Sequence, residues 1–126
     1  MNDEIRVFFD AANFATVSTI NPDGAPQSSV IWVKTDRDDI LFSTVKGRRK
    51  HRNLERDPRV SIVVFDPADP YRYVEVRGVV DMIDDPAGEL IEELSWKYDD
   101  KAFQEGNPDN QRVIVRITPQ KVVMHR

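Results

Sequence analysis

Ile40-Leu41-Phe42-Ser43-Thr44 reads as an apolar strand, and one residue later comes Lys46-Gly47-Arg48-Arg49-Lys50-His51-Arg52-Asn53-Leu54. Residues 47 to 57 contain no β-branched run and are rich in Arg, Lys, Leu and Glu, so they favour a helix. That helix ends before Pro58, because the residue preceding a proline is pushed out of helical geometry. The basic cluster therefore straddles a strand-to-helix corner. Counting Lys and Arg against Asp and Glu, residues 46 to 59 carry +5 in a chain of net charge -4, which leaves -9 on the remainder. Positive potential at one place on an otherwise acidic protein favours a compact polyanion over a long nucleic acid, which the surrounding field repels. The plainer alternative is a solvated helical face.

Working outward, Ile5, Phe8, Phe9 and Ala12 recur at helical spacing within residues 3 to 12, with Asp3 as a cap. Phe14 to Ile20 reads as a strand, Asn21-Pro22-Asp23-Gly24-Ala25-Pro26 as a reversal, and Gln27 to Lys34 as the returning antiparallel strand. A polar turn at residues 35 to 39 leads into Ile40 to Thr44, so the first three strands are expected to form a meander. Val60 to Phe65 is a further strand, and Tyr71 to Met82 alternates clearly, with Gly78 marking a bulge or a close approach. Leu90, Ile91, Leu94 and Tyr98 define a helix after Pro86. A polar loop covers residues 99 to 110, and two strands, Val113 to Ile117 and Lys121 to Met124, close the chain. Six or seven short, mostly sequential strands favour a closed barrel, which removes exposed edges.

With 126 residues the chain has the length of one domain, 1–126, and buries roughly 65 to 70% of its unfolded surface. It has no Cys, which excludes disulfides, thiolate metal sites and Cys nucleophiles, and suits a reducing cytosol. The N-terminus lacks the apolar run of a signal peptide, and no segment approaches the roughly 20 apolar residues of a membrane span. A cytoplasmic protein with neither a membrane nor a nucleic-acid partner is expected.

Phe14-Ala15-Thr16-Val17-Ser18-Thr19 with Asp23-Gly24-Ala25-Pro26, Ser43-Thr44, Arg48-Arg49-Lys50 with Asn53-Leu54, and Asp57-Pro58-Arg59-Val60-Ser61 form a recognisable pattern. It resembles the pyridoxamine-phosphate-oxidase-like split β-barrel superfamily, and within it the flavin/deazaflavin oxidoreductases of the B group. The resemblance is specific over about residues 8 to 83 and weaker beyond. It implies a mainly β fold, a six-stranded antiparallel split barrel with short helices, that forms a homodimer with a cofactor groove between protomers. By motif position it implies that Ser43, Thr44, Arg48, Arg49, Lys50 and Asn53 surround a cofactor phosphate. Gln27, Ser28, Ser29 and Val30 match the strand that faces an isoalloxazine-like ring. The implied cofactor is coenzyme F420, with FMN as the alternative.

The implied activity is an F420-dependent reductase passing a hydride to a small unsaturated or quinone-like substrate. An FMN-dependent oxidase or reductase and a non-catalytic cofactor-binding protein remain open. Arg48 supplies a planar fork and Lys50 a mobile point charge for a phosphate, and helix-start N–H groups add partial positive charge. Ser28 and Ser29 can equally be ordinary strand residues, and Trp32 fits a core or a dimer interface as readily as a ring contact. Tyr71 and Tyr73 divide between strand aromatics and a neighbouring protomer's groove. His51 and His125 are isolated, expected to be exposed, and show no metal-ligand spacing.

Overall fold

Burial alternates residue by residue from Ala15 to Ile20, with Ala15, Val17 and Thr19 inside, and that period of two sets the inner face of the first strand. The computed structural model describes residues 1–126. Its elements are α1 (Asp3–Asp10), β1 (Ala15–Ile20), β2 (Pro26–Ile31), β3 (Lys34–Asp36), β4 (Asp39–Val45), α2 (Arg49–Arg56), β5 (Arg59–Asp66), β6 (Asp69–Asp84), α3 (Glu89–Asp99) and β7 (Arg112–His125). All seven strands join one antiparallel sheet in the order β2-β1-β5-β6-β7-β4-β3.

The two end strands of that order, β2 and β3, are consecutive in the chain and separated only by Trp32 and Val33. The sheet therefore rolls until its ends meet, and the hydrogen-bond ladder is interrupted there, which is the split of a split barrel. Phe9, Val17, Val33, Ile40, Phe42, Ile62, Val64, Val74, Val76, Val115 and Ile117 fill the inside. A second, smaller cluster lies on the outer face of β4 and β7, where Leu90 and Leu94 of α3 pack on Leu41, with Trp32, Tyr98 and Ile114 around them.

Backbone groups at the seam need partners, and side chains from two helices provide them. Tyr98 Oη takes the Val33 N–H at 3.1 Å, Lys97 Nζ donates to the Val33 and Phe9 carbonyls, and Asp10 Oδ1 accepts the Thr35 N–H at 3.0 Å. Helix α3 is itself started by buried Asp85, whose carboxylate accepts the N–H groups of Glu89 and Leu90 at 3.1 and 3.0 Å.

Three expectations from the sequence are corrected. The first strands do not form a meander, because the chain from Gln27 to Lys34 changes hydrogen-bonding partner midway, from β1 to β4. Burial still alternates through Ile31, Val33 and Thr35, so the sequence pattern reads as one strand across a break in pairing. The C-terminal pair of strands is one continuous strand, because Pro119 sits opposite Gly78 at a bulge in the β6–β7 ladder and costs a register step without a reversal. Asn2, and not Asp3, caps α1, accepting the Ile5 N–H at 2.9 Å.

Candidate functional site

Two residues of β4 that are adjacent in sequence face opposite ways. Thr44 shares the barrel interior with Ile40 and Phe42, whereas Ser43 faces outward beneath α3. Both hydroxyl oxygens are buried and lack a hydrogen-bond partner within the chain. Ser43 lines a cleft of about 340 Å³ whose other walls are Phe14, Val30, Ile31 and Trp32, then Arg48 and Lys50, then Ile91, Leu94, Phe103 and Arg112. The cleft lies along the barrel seam, between β2, β4, the start of α2 and the buried side of α3. Its volume falls in the range of small-molecule sites.

One part of the wall is cationic. Gly47, at φ +89°, turns the chain from β4 into α2, and Arg48 occupies the helix N-cap without a side-chain capping bond. The first N–H groups of α2 thus have no acceptor within the helix, and the helix dipole adds to the charge of Arg48. Lys50 is half-buried, and its Nζ donates to Ser29 Oγ at 3.1 Å. Burial and the neighbouring Arg48 both pull the Lys50 ammonium below the usual lysine range, so an anion there would be welcomed. The flanking Lys46 and Arg112 are already paired, with Asp84 at 3.0 Å and Glu105 at 2.8 Å, whereas Arg48 and Lys50 have no carboxylate partner.

The remaining wall is apolar and aromatic. Phe14 is 59% exposed and Val30 67% exposed, although both face the concavity. Arg112 lies over the Phe103 ring at 4.9 Å while Glu105 holds the guanidinium edge through Nε and Nη2 at 2.8 and 3.1 Å. No carboxylate, imidazole or tyrosine lines the cleft.

Among the residues marked by sequence, Val30, Ser43, Arg48 and Lys50 line the cleft, and Ser29 touches it through Lys50. The others lie elsewhere. Asn53 is fully buried, and its amide donates to Thr19 Oγ1 and Asn21 Oδ1, both at 3.0 Å, so it braces the β1–β2 hairpin. Arg49 points to the Asn21–Asp23 turn. Ser28 pairs with Ser18 at 2.7 Å on the outer face, and Gln27 meets Thr19. His51, expected at the surface, is only 7% exposed, because its Nδ1 accepts the Gly47 N–H at 3.1 Å beneath the turn.

Sequence reading passed over Ile91, Leu94, Phe103 and Arg112. Phe103 is the one aromatic in a stretch otherwise read as polar loop, a signal that was there to be used.

The arrangement suits an elongated ligand with an anionic end and a flat apolar body. A family model described as pyridoxamine 5'-phosphate oxidase matches residues 1–126. The chain belongs to the pyridoxamine 5'-phosphate oxidase family. Family membership implies a flavin-type cofactor, and the cleft fits one: the partnerless Ser43 hydroxyl, Arg48 and Lys50, neither held in an ion pair, and the open start of α2 can hold a phosphate.

Solved structures carry the same split barrel. A protein solved as "F420 Reductase" is 32% identical, covering 98% of both chains with a TM-score of 0.87. A conserved hypothetical protein of Mycobacterium tuberculosis is 28% identical, covering 99% of this chain and 84% of its own, with a TM-score of 0.81. General Stress Protein 26 of Bacillus anthracis, at 17% identity and a TM-score of 0.75 over 98% and 92% of the two chains, shares the fold.

Proposed function

We propose that this family member is a coenzyme F420-dependent reductase acting on a small unsaturated or quinone-like molecule. The observation that carries this reading is the cationic corner Arg48–Lys50, free of carboxylate partners, opening onto an apolar cleft in a barrel 32% identical to a solved F420 reductase. When bound, the deazaflavin supplies a hydride. Arg48, Lys50, Ser43 and the start of α2 hold its phosphate, and Val30, Ile31 and Trp32 give its ring an apolar bed. Exclusion of water by Ile91, Leu94 and Phe103 strengthens the electrostatic contacts inside the cleft. No carboxyl, imidazole or phenol lines the cleft, so the proton that completes the reduction comes from the Lys50 ammonium or from solvent.

The working unit in this reading is a homodimer. Val30, Phe65 and Val123 expose apolar surface on the outer face of the sheet, and Val30, Thr16, Val63, Glu75 and Val123 stand in one cross-strand row. A second copy packed there would close the exposed side of the cleft at Val30.

Titrating the purified protein with F420 and, separately, FMN tests the assignment by fluorescence and absorbance. Micromolar F420 binding with weaker FMN binding supports it, as does oxidation of bound reduced F420 by quinones. Tight FMN binding with no response to F420 overturns it. Sedimentation equilibrium tests the dimer, and a single 14.5 kDa species at assay concentration would remove it.

A further inference from the structure

Tyr98 stacks on two rings that themselves line the cleft. Its centroid is 5.4 Å from that of Trp32 with 7° between planes, and 5.6 Å from that of Phe14 with 29° between planes. Tyr98 does not line the cleft. Its hydroxyl donates to the Asn13 carbonyl at 2.6 Å and accepts the Val33 N–H at 3.1 Å, tying the ring to the backbone next to each of the two residues it supports.

A phenylalanine that is 59% exposed on a concave wall, held in a fixed stack by a half-buried tyrosine, is prepared surface, because burial alone does not explain its place. Phe103, on the same lining, is likewise held, under the Arg112 guanidinium. Two braced aromatic side chains on one lining with aliphatic Ile91 and Leu94 suit a flat ligand, since flat rings gain most from stacking at small entropic cost.

We propose that Phe14 and Trp32, positioned by Tyr98, form a recognition wall for a planar conjugated ring, with Tyr98 as a positioning residue acting through its two neighbours. This rests on the assignment of the cleft as a redox site and adds its ring-selecting element. The same chemistry belongs to a cofactor's ring and to a quinone-like acceptor, so the two sources are separated by experiment.

The test uses the full chain with Trp96→Phe, which leaves Trp32 as the sole indole and its fluorescence as a reporter. F420, FMN and riboflavin, which has the ring and no phosphate, are titrated into this parent and into Tyr98→Leu, Tyr98→Phe and Phe14→Ala versions. Phe14 is largely exposed, so its replacement leaves the fold intact even if Tyr98→Leu does not fold. The wall predicts quenching of Trp32 in the parent, a loss of ring-ligand affinity of at least tenfold in Tyr98→Leu and Phe14→Ala, and affinity within about threefold of the parent in Tyr98→Phe. If the ring is the acceptor's, cofactor affinity holds and the KM for menadione rises at least tenfold in the same variants. Inorganic phosphate competition at the cationic corner stays unchanged in either case.

Unaltered cofactor affinity together with unaltered menadione KM overturns the wall, as does a Phe14→Ala effect confined to oligomeric state. FMN binding without F420 binding removes the deazaflavin assignment and leaves the wall to be judged on FMN with the same variants. No binding of any ring compound to the parent overturns both.

Discussion

Tyr98 Oη receives the Val33 N–H at 3.1 Å, at the break in pairing between β2 and β3 where the sheet does not supply an acceptor. A helix side chain thus completes a strand edge, and the same contact attaches α3 to the cleft wall. Tyr98→Phe keeps the ring packing and strands this N–H, a loss of about 1–3 kcal/mol. A lower melting temperature with unchanged ring-ligand affinity is expected, measured by thermal unfolding beside cofactor titration.

Lys97 gives α3 a pH dependence whose sign can be derived. Its Nζ donates to the Phe9 and Val33 carbonyls and lies 4.9 Å from the Tyr98 ring centroid. Burial pulls the ammonium from 10.5 down to about 8, against the favourable field of Asp10 and Glu93 and with the unfavourable field of Lys34. Below about pH 8 both folded and unfolded chains hold the proton. Between about 8 and 10.5 only the unfolded chain does, so stability rises with pH across that window. The neutral amine still has hydrogens for both carbonyls. Urea unfolding from pH 7 to 10 is expected to show a rising component in the parent that Lys97→Met lacks.

Gly78 is held by space. A Cβ at this position would sit 2.2 Å from the Thr118 carbonyl oxygen, a backbone atom with no rotamer in which to retreat. Gly78→Ala therefore opens the β6–β7 bulge and is expected to cost about 3 kcal/mol, the upper end of usual overpacking penalties. Denaturant midpoints check it. An unchanged midpoint would mean that the bulge relaxes freely.

What could be read from the sequence followed from local periodicity and from the one charge inversion. Alternation at Ala15–Ile20 and along Tyr71–Met82 coincides with strands of the sheet, and Gly78, which reads as a bulge or close approach, sits at the β6–β7 bulge. Arg48 and Lys50 of the basic corner line the cleft because helix-start geometry is a local property. The switch of pairing at Trp32–Val33 was hidden, since burial alternates straight through it while the hydrogen-bonding partner changes. The bracing contact of Asn53 is hidden for a related reason: a polar residue near a phosphate-type motif carries no local sign that Thr19 and Asn21 use its amide. The α3 wall was missed because Ile91 and Leu94 have the spacing of any buried helix face.

Placement in the cleft separates ligand contacts from structural ones in a single set of variants. Arg48 is exposed and without a carboxylate partner, and Lys50 bears a desolvation cost, so removing either should leave the unliganded protein as stable as before. Each charge-assisted contact to a phosphate is worth roughly 1.5–3 kcal/mol, so Arg48→Ala and Lys50→Ala should weaken cofactor binding about ten- to a hundredfold. Asn53→Ala should behave the opposite way. It strands Thr19 Oγ1 and Asn21 Oδ1 in the hairpin, lowering stability by about 2 kcal/mol, while cofactor affinity of the folded protein changes little. Thermal melts and fluorescence titrations on the three variants decide it. If Arg48→Ala and Lys50→Ala bind as the parent does, the phosphate does not sit at the start of α2; if Asn53→Ala loses affinity at unchanged stability, Asn53 contacts the ligand and does not merely brace the hairpin.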